Sequence, residues 1–205
     1  MRYISNSEVY TFYERGEQEY YSQYILGIRE PENEPMILGK IIHEVLEDKN
    51  YNWQEAIKQL SKQPQTTYKR IVEQIIATVP RAHQKELKLY ANTQHGFQIY
   101  AGIDGVDPEV LTEYKTGASL WTQDRADESQ QITHYLLAWW LKYNEELPFR
   151  LITISSKTGK FKELRTARTK KQLDEKMRQL VQLKRSLIEL GWWDKKLSLD
   201  KRTTI

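Results

Sequence analysis

The chain contains no cysteine, which excludes disulfides, thiolate nucleophiles and cysteine-held metal clusters. It also lacks any apolar run near the roughly 20 residues of a membrane span. Its longest apolar stretch, around Leu136 to Leu141, is short and flanked by polar residues. No Gly-x-x-x-x-Gly-Lys-Ser/Thr segment occurs, so no recognisable ATP motor is expected. The N-terminus has no basic, apolar and small-residue succession of the secretory type. A cytoplasmic location is the resulting expectation.

What remains is the make-up of a soluble globular protein, 39% hydrophobic and 29% charged. At 205 residues it fits one domain, or one with a helical extension. The 13 Tyr and 6 Trp supply bulk that the modest aliphatic content does not. The net charge of +3 conceals an asymmetry. From residue 157 onward there are 15 Lys and Arg against 6 Asp and Glu; before it there are 16 against 22. Such a basic C-terminal quarter suits a phosphate-backbone surface or a solvated helix face.

Helical spacing of Tyr13, Tyr20 and Tyr24 predicts a helix over 5–27, capped by Ser7, its tyrosines mostly in or near the core. A second helix is expected over 36–48. There Gly39, His43 and Glu47 share one face, and Gly39 would permit close approach of another element. Further helices are expected over 53–63 and 66–92, broken at Pro64 and Pro80 and forming a cap or channel wall. Two strands, 96–106 and 110–115, are joined by Asp107-Pro108-Glu109. A helix over 129–144 precedes a strand over 149–155 with apolar residues on both faces. After the Lys157-Thr158-Gly159-Lys160 turn, a strand near 161–164 and a long amphipathic helix over 169–190 complete the pass. That last helix would end at Gly191 and carry Lys170, Lys171, Lys176, Arg178, Lys184 and Arg185 outside, with Trp192-Trp193 anchoring a basic tail.

The chemistry concentrates in Gly102-Ile103-Asp104-Gly105 and Glu113-Tyr114-Lys115-Thr116-Gly117. In a strand, Glu113 and Lys115 point one way and Tyr114 the other. The short turn could bring Asp104 near Glu113, giving two carboxylates and an ammonium on one small surface. Carboxylates suit Mg²⁺ or Mn²⁺, and a lysine can orient an attacking hydroxide on a phosphodiester. The same Glu-x-Lys pair also fits an exposed ion pair. His43 fits either a metal ligand or a hydrogen-bonded histidine. Trp121 and Arg125, in the loop after the second strand, are placed where a base-stacking or strand-separating residue could sit.

Three further segments fall into order around that core: Gly39-x-x-x-His43-x-x-x-Glu47, Gln131-x-x-x-Tyr135, and the N-terminal Ser5-Asn6-Ser7 with its Tyr-rich run to Ile28. In this order the motifs resemble the RecB-like branch of the PD-(D/E)XK nuclease superfamily, over nearly the whole chain. The resemblance implies an α/β restriction-endonuclease-like fold, a central mixed sheet flanked by helices with an N-terminal helical region. It implies one nuclease domain over 1–205: a mainly helical 1–95, a catalytic sheet core at 96–165, and a basic helix and tail at 166–205. It further implies metal ligation by Asp104 and Glu113, with His43 as a ligand or neighbour and the Tyr114 carbonyl as a third protein oxygen. Lys115 would be the catalytic lysine, and Gln131 and Tyr135 would position the strand or the lysine.

The implied activity is Mg²⁺- or Mn²⁺-dependent hydrolysis of DNA, on single strands or duplex ends, by an exonuclease or flap-type cutter of prokaryotic or viral origin. A helicase or recombination protein is an expected partner. Many members of the branch bind an iron–sulfur cluster through four cysteines near the two termini. Here that cluster is excluded, and the terminal regions are expected to be held by packing alone. A non-catalytic nucleic-acid-binding subunit, or an interaction protein with surface ion pairs only, are the other readings of the same residues.

Overall fold

The computed structural model of this chain describes residues 1–28, 30–84 and 86–195. Its strands form two sheets joined through one bend. β1 (Tyr3–Ser5), β2 (Leu87–Asn92) and β3 (Gln98–Ile103) are ordered β1-β3-β2, with β1 parallel and β2 antiparallel to β3. β4 (Gly105–Asp107), β5 (Val110–Gly117), β6 (Phe149–Ser155) and β7 (Phe161–Thr166) follow in sequential order. Only the β5–β6 pair is parallel there. β3 and β4 are one run of chain interrupted at Asp104. The expected mixed sheet flanked by helices is therefore present, but it is split where Asp104 leaves the ladder.

Helices cover both faces. α1 (Asn6–Tyr10) continues as a π-helical segment, Thr11–Arg15, and α2 (Glu17–Tyr20) as another, Tyr21–Ile25. α3 (Glu34–Glu47), α4 (Trp53–Ala56) and α5 (Gln65–Thr78) follow, then α6 (Gln123–Asp127), α7 (Gln130–Tyr143) and α8 (Lys170–Glu189). α6 and α7 make the crossover between parallel β5 and β6, which a tight turn cannot bridge.

Two cores lie on opposite sides of β5 and β6. Leu111, Phe149 and Leu151 pack with Leu136, Leu180 and Leu183. Tyr114, Ile152 and Ile154 pack with Ile42, Ile71 and Ile75. Adjacent residues of β6 thus enter different cores, so its sequence shows no polar alternation.

Caps explain the best-defined boundaries. Ser129 accepts the Ile132 N–H at the start of α7, and left-handed Asn144 (φ 54°) ends it. Thr169 and Gln172 form a reciprocal capping box on α8, and Gly191 (φ 66°) stops the chain after it.

Several expectations are corrected. Ser5, not Ser7, caps the first helix, accepting the Glu8 N–H at 3.3 Å, and Gly16 (φ 93°) divides 5–27 into two pieces. α3 begins at Glu34 because Asn33 caps it, with proline in the first turn. The helix expected at 53–63 is only α4 and a 3-10 turn to Gln59. The helix expected to reach 92 ends at Thr78, and 87–92 is strand β2. In β2 the inward-facing Leu87, Leu89 and Ala91 alternate with exposed Lys88, Tyr90 and Asn92, the period of a strand. α5 packs beneath β5 and β6 with α3 and α4, as a supporting layer. A Cβ at Gly39 would meet nothing within 4 Å, so no element approaches there.

Lys176 is not on the outer face of α8. It is buried between Leu173 and Leu180 and donates to Gln179 Oε1 at 2.9 Å. Nor are the termini held by packing alone. Arg2 donates to the Trp192 and Trp193 carbonyls, to Glu8 Oε1 at 2.5 Å and to Tyr20 Oη at 2.6 Å. The Trp193 ring lies 4.4 Å from the guanidinium carbon, and Trp192 stacks on Tyr20. Trp192 and Trp193 pack against the core at the end of α8; the basic tail that they are expected to anchor lies, from residue 196, outside the described residues.

Candidate active site

β5 places Glu113 and Lys115 on one face, beneath α7. The Lys115 ammonium donates to Glu113 Oε1 at 2.5 Å. Gln131, in the first turn of α7, donates to the same oxygen at 2.9 Å and to Tyr135 Oη at 2.7 Å. This side chain therefore couples the buried carboxylate to a tyrosine one helical turn away. Glu113 is nearly fully buried, and its Oε2 has no hydrogen-bond partner. A buried carboxylate oxygen without a donor is costly unless something cationic reaches it.

Asp104 enters from the break between β3 and β4. The β4–β5 ladder begins at the Gly105–Thr112 pair, so Tyr114 lies beyond its end. The Tyr114 N–H, lacking a strand partner on that side, donates to Asp104 Oδ2 at 2.8 Å. N–H and C=O of one strand residue face the same neighbour, so the Tyr114 carbonyl faces the Asp104 edge as well. The Tyr114 ring points into the other core and binds the segment before β2 through its hydroxyl: it accepts the Ala82 N–H at 2.8 Å and donates to Pro80 O at 3.2 Å.

α3 supplies the third contribution. Its apolar face, Leu38, Ile41, Ile42, Val45 and Leu46, is buried against the sheet and α5. That leaves His43 and Glu47, one turn apart, at the edge. His43 Nδ1 is 3.5 Å from Asp104 Oδ2. Ligand atoms of His43, Glu47 and Asp104 all lie within 4.8 Å of one another, the one such group among the described residues that could hold a metal ion. Nitrogen and carboxylate oxygen in this number suit a divalent cation. Glu47 was read in the sequence only as a neighbour of His43 on one helix face; its i, i+4 spacing was the available signal. Glu113 lies outside this three-residue group, and its Oε2 is left uncommitted.

The electrostatics agree with a site built for positive charge. Burial pushes the Glu113 carboxyl up to about 7; Lys115 opposes that shift and Asp104 adds to it. Burial also raises Glu47, with Asp104 and Glu86 adding repulsion. Burial would lower His43, but its hydrogen bond to Asp104 and the charges of Asp104 and Glu113 lift it above the ordinary value. Burial would lower Lys115 too, and the Glu113 charge beside it more than offsets that. Burial drives the Tyr135 hydroxyl far up, so it stays protonated.

Two depressions flank these groups. One, of about 520 Å³, is lined by Glu47, Lys49, Arg81, His83 and Asp104. The other, of about 350 Å³, is lined by Ser5, Ser7, Tyr10, Tyr100, Gln131 and Tyr135. The structure thus gathers His43, Asp104, Glu113, Tyr114, Lys115, Gln131 and Tyr135 in one place. Trp121 does not join them. It packs partly into the core, its N–H bound to Thr153 Oγ1 at 3.0 Å and its ring covered by Arg125 at 4.0 Å.

A mixed sheet carrying an acid-x-Lys strand, a second carboxylate at a strand break and helices on both faces defines a class of phosphodiester-cleaving folds. A family model of the PD-(D/E)XK nuclease superfamily matches residues 4–194, and the chain belongs to that superfamily. Among solved structures, a provisionally assigned exonuclease from Eubacterium rectale superposes with a TM-score of 0.64. The two share 16% identity, over 93% of this chain and 82% of that one. LHK-Exo in complex with dAMP aligns over 76% of this chain and 97% of its own, at 12% identity, but with a TM-score of only 0.32. No curated protein sequence matches.

Proposed function

We propose that the protein is a Mg²⁺- or Mn²⁺-dependent deoxyribonuclease of the RecB-like branch, cutting single strands or duplex ends as an exonuclease or flap-type enzyme. The observation that carries this reading is the convergence of Lys115 and Glu113 from β5 with Asp104 from the strand break and His43 and Glu47 from α3. His43, Glu47 and Asp104 would hold the cation, with Glu113 Oε2 and the Tyr114 carbonyl as further oxygens. When bound, such an ion neutralises phosphate charge and acidifies a water molecule.

The chain's own groups have distinct tasks. Lys115 keeps its proton beside Glu113, so it can orient the attacking water and offset negative charge developing on the phosphate. Gln131 holds Glu113 Oε1 and leaves Oε2 uncommitted. Tyr135, locked as a neutral hydroxyl, fixes Gln131. Burial of Glu113 keeps water from its carboxylate, which strengthens its bonds to Lys115 and Gln131.

End-labelled single- and double-stranded DNA, incubated with Mg²⁺, Mn²⁺ or EDTA, tests the reading. Glu113→Ala and Lys115→Ala are run beside the wild type, each checked for folding. Metal-dependent cutting abolished by both substitutions is the expected result. A folded wild type that cuts with neither metal would sink it; DNA binding without cutting would point to a non-catalytic binding subunit.

A further inference from the structure

The larger cleft contains an arginine that nothing in the fold uses. Arg81 is half-buried and lines the cleft beside Glu47 and Asp104. None of the described residues forms a hydrogen bond or ion pair with its guanidinium. Lys49, exposed at the same cleft, is likewise unpaired. On α8, by comparison, Lys170 pairs with Asp174, Arg178 with Glu175, and Lys184 binds the His95 carbonyl, while Lys171 and Arg185 are unpaired among the described residues but do not line this cleft. The positive charge that lines this cleft is thus Arg81 and Lys49, not the basic helix that charge counting singles out.

Arg81 is also held on a rigid strap. Ala82 N–H binds Tyr114 Oη, and His83 N–H donates to Asp107 Oδ1 at 2.7 Å. Gln84 and Val106 exchange both backbone hydrogen bonds, at 3.0 and 3.2 Å. A Cβ on Gly105 would come within 2.1 Å of the Ala82 Cβ, so only glycine lets the strap lie this close. Five backbone and side-chain bonds thus fix residues 80–84 against β4 and β5, and leave the Arg81 head uncommitted. A partly desolvated guanidinium without an acceptor is a site for an anion, and its planar fork matches phosphate oxygens.

We propose that Arg81, assisted by Lys49, is a backbone-phosphate subsite that grips the substrate strand next to the phosphodiester being hydrolysed. This rests on the nuclease reading of the adjoining carboxylates. The cleft's own carboxylates are Glu47, Asp48 and Asp104. A cation on Glu47 and Asp104 would cancel two of them and leave Arg81 and Lys49 in the majority, so the strand is admitted only to the loaded site.

A chemical double-mutant cycle tests the assignment. Single-stranded oligonucleotides carry one neutral methylphosphonate, moved one position at a time past the cleavage point. Equilibrium affinity is read by fluorescence anisotropy at low salt with Ca²⁺ in place of Mg²⁺, so that the site is loaded, and kcat/KM with Mg²⁺. Wild type loses about tenfold or more at one methylphosphonate position adjacent to the cut. Arg81→Gln loses a similar factor on the all-phosphate strand and nothing further at that position, and Arg81→Lys recovers part of it. The slope of log affinity against log salt becomes shallower by about 0.7 in Arg81→Gln. If wild type cuts but Arg81→Gln keeps its affinity, salt slope and methylphosphonate profile, the subsite is overturned and the nuclease reading stands. If wild type neither binds nor cuts, both fall together.

Discussion

Replacing Arg2 by methionine would show how the N-terminal strand of this cysteine-free chain is joined to the segment that follows α8. The Arg2 side chain is almost buried and Glu8 is wholly so, with 2.5 Å between Nη2 and Oε1. Removing one partner of a buried pair costs about 3–5 kcal/mol, because the other charge is left in apolar surroundings. Tyr20 still donates to Glu8 at 2.6 Å and softens the loss, while the Trp192 and Trp193 carbonyls lose their donor. A net loss of about 3 kcal/mol is a large share of a typical 5–15 kcal/mol stability. For a chain of this size each kcal/mol moves Tm by about 2–4 °C, so the midpoint falls by about 10 °C.

Urea unfolding at pH 7 and calorimetry would both read this change. The companion variant Arg2→Met/Glu8→Gln removes the stranded charge while Tyr20 can still donate to the amide, so it recovers about half of the loss or more. A single variant that loses under about 1 kcal/mol, or a double variant no more stable than the single, would refute the reasoning.

Gly105→Ala forces the 80–84 strap off β4, because the new Cβ would sit 2.1 Å from Ala82; a loss of about 1–3 kcal/mol is expected, and an unchanged thermal midpoint would contradict it. Glu47→Gln weakens Mn²⁺ binding by about tenfold or more in titration calorimetry with the fold intact; unchanged affinity removes Glu47 from the ligand set. Burial lowers Lys176 from 10.5 to about 8. Between those values the unfolded chain binds more protons, so wild-type stability rises with pH there, and the destabilisation is complete below about 8. Lys176→Met should therefore gain about 1–3 kcal/mol at pH 7 and lose that advantage above pH 10; an equal gain at both pH values would exclude desolvation as the cause.

The elements that were legible in the sequence are those whose determinants are local. β6 runs over the expected 149–155, and α7 falls between a serine cap and a left-handed asparagine. Glu113, Lys115, Gln131 and Tyr135 could be ordered because their spacing along β5 and α7 sets which side chains share a face. What escaped depends on partners far along the chain. β1 is three residues long and exists only because Tyr3, Ile4 and Ser5 pair with 98–100. Lys176 reads as one more outer-face cation until Gln130 and Gln179 are seen beside it. The break at Asp104 has no local signal, since Gly102-Ile103-Asp104-Gly105 could equally continue one strand.

That break is nevertheless what makes the site possible. Had β3 run on alongside β5, the Tyr114 N–H and carbonyl would have been consumed in a ladder, and Asp104 would have pointed along one face. Instead the Asp104 carboxylate takes the N–H and lies at a gap reached from both faces: Glu113 and Lys115 from under α7, His43 and Glu47 from α3. Three carboxylates brought this close repel one another, and burial raises the Glu113 and Glu47 pKa values further. The two cores on either side supply the stability that holds such a group together, and a dication is the charge that relieves it. Stability and chemistry thus rest on different groups: the Arg2 clasp ties the N-terminal strand to the end of α8, and the strand break gathers the carboxylates where a cation and a phosphate can meet them.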